Sequence, residues 1–507
     1  MELNQLKGKK ILLILQRDWC MRHGFEIAKK LKEYKAELST LVFKKEIERF
    51  IEVQKEIKFS YILKNSDVDK NHIKINQESG YNVKMLLDDY KINSIWENAF
   101  TLREKSISFN KYPFSYEQNA DDKSIESYIV AFAFRIKELI NNFSPDLIIG
   151  YNLGDLRHLL ILKKANINKI PFFFMSDTKV QNIGAFYYDL NCEKSFFKNR
   201  EKKLNEKKIK SANREKAKKY ILEYRLTGDK IPHSIKNINL DKSLINIPDE
   251  ISFLKKIFRY LRYDEIDYDN PSIKNTIRNY IFQKISINKN RKIKYDRIDQ
   301  IKNFVFFPLQ HYPETQLGML NSVHDNQLNV AKVLARFLPD NLTLVVKNHP
   351  YNYERRTPSL LNKFRNTPNV KLIDHKIPNY ILYKKMHSLV SMCGTSIFEA
   401  AILKKPAIQI GSLKMMTSLP NFFFLDKLEN ITSIINSINT SFPKIIKSQE
   451  YDEKLINYIS AAFDVGFDFE LYEQDFRKDR NAFEYIWKIY FKEINKVFKL
   501  KKYFSFD

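Results

Sequence analysis

Short apolar runs alternate with amphipathic segments over two stretches of the chain. Residues 11–15 (Ile-Leu-Leu-Ile-Leu) are continuously apolar. Such runs mark strands buried on both faces of a parallel sheet. An amphipathic segment follows at 25–31, then a second strand-like run at 38–43. Residues 129–140 have helical spacing, Ser144-Pro145-Asp146 breaks it, and 147–151 is another buried strand. Residues 155–164 read as a helix, and 170–175 as a strand ending at Ser176-Asp177-Thr178. The pattern predicts one doubly wound α/β domain over 1–185.

The rhythm returns at 303. Strands are predicted at 304–308, 342–347, 370–373, 388–392 and 406–410. Helices are predicted at 325–337, 359–364, 379–384 and 397–403. Strict alternation predicts a second parallel α/β domain over 301–445. Residues 186–300 read as a basic, mainly helical insertion or linker. The tail, 446–507, places Phe483, Ile486, Trp487, Tyr490, Phe491, Ile494 and Phe498 at helical spacing, which predicts helices packed across the lobes.

Composition narrows the classes. The 11 glycines form neither G-x-G-x-x-G nor G-x-x-x-x-G-K-[ST], which excludes the standard dinucleotide and P-loop fingerprints. Cys20, Cys192 and Cys393 form no C-x-x-C pair. Sparse cysteines and an opening apolar run too short for a signal-peptide core fit a cytoplasmic protein. No run reaches the roughly 18 apolar residues of a spanning helix, so any membrane attachment is expected to be peripheral. Lys and Arg outnumber Asp and Glu, 86 to 60, a formal net charge of +26. Residues 198–219 concentrate it, with eleven Lys or Arg against three Glu. Two readings stand for that cluster: a solvated helix or loop with too few apolar residues to be a core helix, or a surface for anionic lipid or polymer.

In doubly wound sheets, ligands sit beyond the carboxyl ends of the strands. In the second domain those ends carry Gln310, His311 and Glu314, then Lys347 and His349, then Gly394-Thr395-Ser396 with Glu399 one turn later. Lys347 offers a positive charge, and His349 a hydrogen-bond donor that titrates near neutrality. Gly394, Thr395 and Ser396 open a helix whose amides and hydroxyls form an anion site. Glu399 is placed to accept bonds from ribose hydroxyls. The set describes a cradle for a nucleoside phosphate. A local alternative makes Thr395 or Ser396 only a helix cap, with Glu399 near the capping-box position. In the first domain the strand ends carry Arg17, Asp18, His23, Asn152, Asp155 and Asp177, any acid of which can serve as a general base. Asp67-Val68-Asp69 and Asp267-Tyr268-Asp269 follow no clean strand and are read as chance D-x-D strings.

Four motifs carry a family resemblance. They are Pro308-Leu309-Gln310-His311-Tyr312-Pro313-Glu314, Lys347-Asn348-His349-Pro350, Gly394-Thr395-Ser396-Ile397-Phe398-Glu399-Ala400 and Lys405-Pro406. In order and spacing, this stretch resembles the bacterial capsular polysaccharide biosynthesis family of transferases. The Gln-x-x-Pro arrangement departs from the Kdo-transferase branch. The resemblance implies a glycosyltransferase of GT-B architecture: two Rossmann-like lobes, a nucleotide-sugar donor as substrate, no cofactor and no bound metal. It implies that His349 and the helix start at Gly394, Thr395 and Ser396 hold the donor phosphate; the strand-end positions add Gln310, Glu314, Lys347 and Glu399 to the donor site, and place Asp18 and Asp177 beside His349 as catalytic candidates. The acceptor is expected to be a growing glycan or glycolipid. No nucleic-acid partner is expected. The rivals are a polyol-phosphate transferase using CDP-glycerol, a basic anionic-polymer-binding protein without catalysis, and a sugar-nucleotide epimerase.

Overall fold

A computed structural model describes residues 6–16, 19–106, 120–228, 254, 258, 273–311, 315–350, 356–469 and 480–499. Two sheets organise it. The first contains β1 (Lys10–Leu15), β2 (Glu37–Val42), β3 (Ile62–Lys64), β4 (Leu147–Ile149), β5 (Phe172–Asp177), β6 (Ile183–Tyr187) and β13 (Phe467–Asp468). The second contains β7 (Phe304–Pro308), β8 (Thr343–Lys347), β9 (Val370–Ile373), β10 (Ser388–Ser391), β11 (Ala407–Gln409) and β12 (Phe422–Phe424).

The second sheet runs β12-β11-β10-β7-β8-β9, with every pair parallel. Counted from β7, that is the 3-2-1-4-5-6 order of doubly wound nucleotide-binding sheets, read from the far edge. The first sheet runs β13-β6-β5-β4-β1-β2-β3. Its β1–β5 portion is parallel, while β6 pairs antiparallel with both β5 and β13. The fold class is therefore two doubly wound α/β lobes. Central strands are sealed on both faces: Ile11, Leu13 and Ile14 in β1, and Phe304–Phe307 in β7, have no exposed surface. That sealing is why they read as unbroken apolar runs.

The differences from expectation lie at the edges. β3, β6, β12 and β13 were not predicted. β12 adds a sixth strand where the sequence predicts five. β3, β12 and β13 have two or three residues each, and β12 is half open to solvent, so neither alternation nor a continuous buried run marks them.

The basic cluster lies on helices that expose most of its charge and bury their inner face. It forms the greater part of two helices, α2 (Phe196–Asn205) and α3 (Arg214–Thr227), packed on α6 (Gln449–Val465). Phe197 and Leu204 are buried from α2, and Ala217, Tyr220, Ile221 and Tyr224 from α3. Only Leu204 and Ala217 of these lie within 198–219, as the scarcity of apolar residues there predicts; the core face is completed by Phe197 before the cluster and Tyr220, Ile221 and Tyr224 after it. Most of its cations stay exposed, but three turn onto the protein. Lys198 Nζ donates to Glu201 Oε2 (2.5 Å), Ser418 Oγ (2.7 Å) and the Met415 carbonyl (2.9 Å). Arg200 pairs with Asp464 at 2.8 Å, and Arg214 pairs with Glu453.

The tail crosses the lobes. On α6, Tyr458 Oη donates to the Thr178 carbonyl of the first lobe (2.8 Å), and its ring packs 5.6 Å from Phe398 of the second. The last helix, α7 (Arg480–Lys499), returns to the first sheet and buries Ile486, Trp487, Tyr490, Ile494 and Val497 against it. Tyr188 Oη donates to Glu493 Oε1 there (2.5 Å). Asp67 and Asp69 sit on the helix Asn65–Ser79, where Asp69 pairs with Lys105 at 2.7 Å; Asp267 and Asp269 lie outside the described residues.

Candidate active site at the lobe interface

In the second lobe the strand order reverses between β7 and β10, the point where open α/β sheets bind ligands. The loop after β7 holds Gln310. Its N–H donates to Gln327 Oε1 (2.7 Å), and its carbonyl accepts from Arg356 Nη2 (2.7 Å). Arg356 Nη1 donates to Asn348 Oδ1 (2.5 Å), beside His349 on the loop after β8. A buried guanidinium thus ties the Gln310 loop to the His349 loop. The Gln310 amide in turn lies against the β10 loop: a Cβ built on Gly394 would stand 3.0 Å from Gln310 Nε2. Glycine there lets the two loops touch, and the His311 and His349 rings lie 5.8 Å apart at the same rim. Three strand ends therefore meet at one crevice.

The helix opened by the Gly-Thr-Ser sequence is α5 (Ser396–Ile402). Ser396 Oγ donates to Ser391 Oγ (3.1 Å), and the Gly394 N–H donates to that same oxygen (3.3 Å). Thr395 occupies the cap position without a side-chain capping bond. The capping-box alternative therefore fails, since Glu399 Oε2 accepts from Tyr383 Oη (2.7 Å) instead. Burial raises the Glu399 carboxyl above its ordinary range, against the opposing pull of Tyr383, Tyr224 and Lys347.

Two expectations about charge need correction. Lys347 is buried, and its ammonium donates to the Ile377 carbonyl and to Asn379 Oδ1 (2.5 Å). It braces the lobe from inside. Burial draws its pKa down to about 8, against the opposing Glu399 and Asp374. His349 does not titrate near neutrality. Burial first, then the positive fields of His311, Arg356 and Lys347, pull it to about 3. At physiological pH it is a neutral donor or acceptor. The linkage has a definite sign: the unfolded imidazole takes a proton near its ordinary 6.5, while the folded one resists until about 3. Stability contributed by neutral His349 is complete above pH 6.5 and falls as the pH drops from there through 3. In urea titrations, His349→Gln is expected to gain stability relative to wild type over that window. An unchanged difference between the two would refute the assignment.

The first-lobe wall is built at its own reversal point, between β1 and β4. Gln16 Nε2 donates to Asn152 Oδ1 (2.6 Å), and the Gln16 carbonyl oxygen Oε1 meets His158 Nε2. His158 lies on α1 (Leu156–Ile167), and its Nδ1 is 3.2 Å from Asp155 Oδ1. Burial alone would raise the Asp155 carboxyl, but the Arg157 guanidinium and the His158 bond outweigh it and hold it far below the usual carboxylate range. Asp155 is therefore committed as a structural anion. His23 is buried in the turn Cys20–Gly24.

Between the lobes lies a cavity of about 300 Å³, lined by Tyr151, Asn152 and Asp177 of the first lobe, Leu320 and Leu413 of the second, and Phe469 near the tail. Asp177 is the carboxylate on this wall, half exposed and 2.6 Å from the buried Lys179 ammonium. Burial would lower the Lys179 pKa, and the Asp177 charge more than restores it. Asp18, Arg17 and Glu314 lie outside the described residues. Among the described residues no group of three or more His, Cys, Asp or Glu is placed to hold a metal ion.

Sequence reasoning missed Arg356, Asn348, Gln327 and Lys179. Arg356 and Gln327 act through Gln310, 46 and 17 residues away, whereas Lys179 pairs with Asp177 two residues earlier and is revealed only by its burial. The one local sign was Asn348, inside the Lys-x-His-Pro run.

Residues 210–413 match the family model described as capsule polysaccharide biosynthesis protein. The matched stretch spans α3 through β11, so Gln310, Lys347, His349, Arg356, Gly394–Ser396 and Glu399 fall inside it, and Asp177 falls outside. No curated protein matches the chain. Among solved structures, it is similar to the KpsC β-Kdo 2,7 transferase of Thermosulfurimonas dismutans (12% identity, 68% of this chain and 88% of that one, TM-score 0.35). It is similar to the UDP-GlcNAc 2-epimerase of Neisseria meningitidis bound to UDP-GlcNAc (15%, 90% and 98%, TM-score 0.26). It is also similar to a glycosyltransferase from Rickettsia africae (11%, 97% and 99%, TM-score 0.26).

Proposed function

We propose that the protein transfers a sugar from a nucleotide-sugar to a growing capsular or lipid-linked glycan. The observation that carries this reading is the Arg356 frame, which joins the Gln310 and His349 loops at the reversal point of the second lobe. In the proposed complex the donor phosphate lies against Gly394, Thr395, Ser396 and neutral His349, and the acceptor enters the cavity from the first-lobe side. An acceptor hydroxyl oxygen attacks the anomeric carbon as the bond to the leaving phosphate oxygen breaks. The hydroxyl proton goes to a carboxylate, for which Asp177 is the proposed residue because it lines the cavity. Negative charge grows on the departing nucleotide, where hydrogen-bond donors fixed in advance each lower the barrier by roughly 3 kcal/mol. The proposal includes transfer without a bound metal, so activity is expected to survive chelation.

The test is a thermal-shift screen with CMP, CDP, UDP, GDP and ADP, followed by transfer of label from the matching nucleotide-sugar. Ligands that bind only the folded state raise the melting temperature. One nucleotide is expected to do so, and His349→Ala to abolish both the shift and the transfer. Transfer of label from CDP-glycerol instead would assign the polyol-phosphate reaction. No shift with any nucleotide would end the transferase reading.

A further inference from the structure

A helix outside the site presents the wrong face to water. This is α4 (Ile273–Asn290), which leads into the second lobe. Soluble helices hide their apolar stripe and expose the polar one. Here Ile277, Ile281 and Ile285, at steps of four residues, form one stripe with Phe282 on its border, and their exposures run from 40% to 51%. Arg278 and Lys289 are exposed on the same helix, and Arg291, Lys292 and Lys294 continue the exposed charge. From 273 to 295 there are seven Lys or Arg and no Asp or Glu. Eighteen helical residues extend about 27 Å. No helix among the described residues is long and apolar enough to cross a membrane.

We propose that α4 lies flat on an anionic lipid surface, with its isoleucines and Phe282 among the acyl chains and its cations at the headgroups. The combination selects the partner. A nucleic acid would use the cations and leave the isoleucines wet. An apolar protein groove would use the isoleucines and strand the cations. A negatively charged bilayer interface uses both, with Arg and Lys stems reaching up to the phosphates. The surface is distinct from the 198–219 cluster, whose Lys198, Arg200 and Arg214 are paired within the protein and whose helices turn their apolar face inward. It also has a physical link to the crevice. Asn290, fully buried at the end of α4, donates from Nδ2 to the Arg356 carbonyl (2.9 Å), and Arg356 holds the Gln310 and His349 loops. The face that meets lipid is anchored on the residue that frames the proposed donor site.

The test is flotation of the full-length protein with vesicles of phosphatidylcholine alone or mixed with phosphatidylglycerol. Wild type is expected to float with the mixed vesicles, less so as salt rises, and poorly with phosphatidylcholine alone. Ile281→Gln/Phe282→Gln is expected to reduce binding to mixed vesicles about tenfold, the equivalent of about 1.4 kcal/mol. Phe282→Trp provides a second readout, with an emission shift to the blue when mixed vesicles are added. Equal flotation of wild type and the double variant overturns the proposal. So does a double variant that floats normally but changes the oligomeric state in light scattering, which would assign the stripe to self-association. Lipid binding requires no nucleotide, so the proposal stands or falls apart from the transfer reaction. The double variant is expected to keep the wild-type nucleotide shift.

Discussion

Arg356→Ala is expected to destabilise the protein by about 3 kcal/mol and to weaken nucleotide binding at least about tenfold. The guanidinium is 3% exposed and donates to the Gln310 carbonyl and to Asn348 Oδ1. Alanine removes two charge-assisted bonds, each worth roughly 1.5–3 kcal/mol. The Gln310 carbonyl keeps a longer contact from Gln327 Nε2 at 3.3 Å, while Asn348 remains 1% exposed and loses its guanidinium donor. Arg356→Lys is expected to restore part of the stability, because a point ammonium cannot span both acceptors as a planar fork does. The variant has a second signature. Arg356 contributes to the low pKa of His349, so its removal moves that pKa upward, which NMR titration of the imidazole would record. Urea denaturation and nucleotide titration check the main claim. Wild-type values for both would show that the frame does not organise the site.

The second lobe is legible in the sequence because its strands are sealed on both faces. Phe304-Val305-Phe306-Phe307 has no solvent side, so it reads as an apolar run, and the chemistry begins where the run ends. The positions of Gln310, His349 and Gly394 after their strands follow from that rule. What these side chains do when they arrive was less legible. The charge on Lys347 is plain in the sequence, but its commitment to Ile377 and Asn379 depends on a contact across thirty residues. His349 reads as a titrating group, and only burial beside two cations and a second imidazole makes it neutral. The edge strands failed for a different reason. β13 pairs Phe467 with Gly184, a contact between residues far apart in the chain that no local pattern encodes. In the 198–219 cluster the roles of Arg200 and Arg214 were illegible because charge density is local, whereas their partners Asp464 and Glu453 lie some 250 residues away.

Gly411→Ala is expected to cost about 3 kcal/mol of stability, and to disturb the site through the backbone rather than through a lost contact. Gly411 follows β11, beside β10 in the sheet. A Cβ there would stand 2.4 Å from the Met392 carbonyl oxygen, closer than any ordinary contact, and the obstacle is main chain that cannot rotate away. Relief requires the β10 loop to move. Met392 directly precedes Cys393 and Gly394, and Gly394 is the residue against which the Gln310 amide packs. The strain therefore enters the crevice at the position assigned to the donor phosphate. The expected result is a lower denaturation midpoint together with weaker nucleotide binding. Gly394→Ala supplies the comparison: its Cβ would meet side-chain ends alone, the flexible Gln310 amide at 3.0 Å and Ser396 Oγ at 3.3 Å. It is expected to spare stability while still weakening nucleotide binding. If Gly411→Ala lowers the midpoint but leaves binding intact, the β10 loop is not part of the donor site. The anion cradle would then have to lie elsewhere on the second lobe.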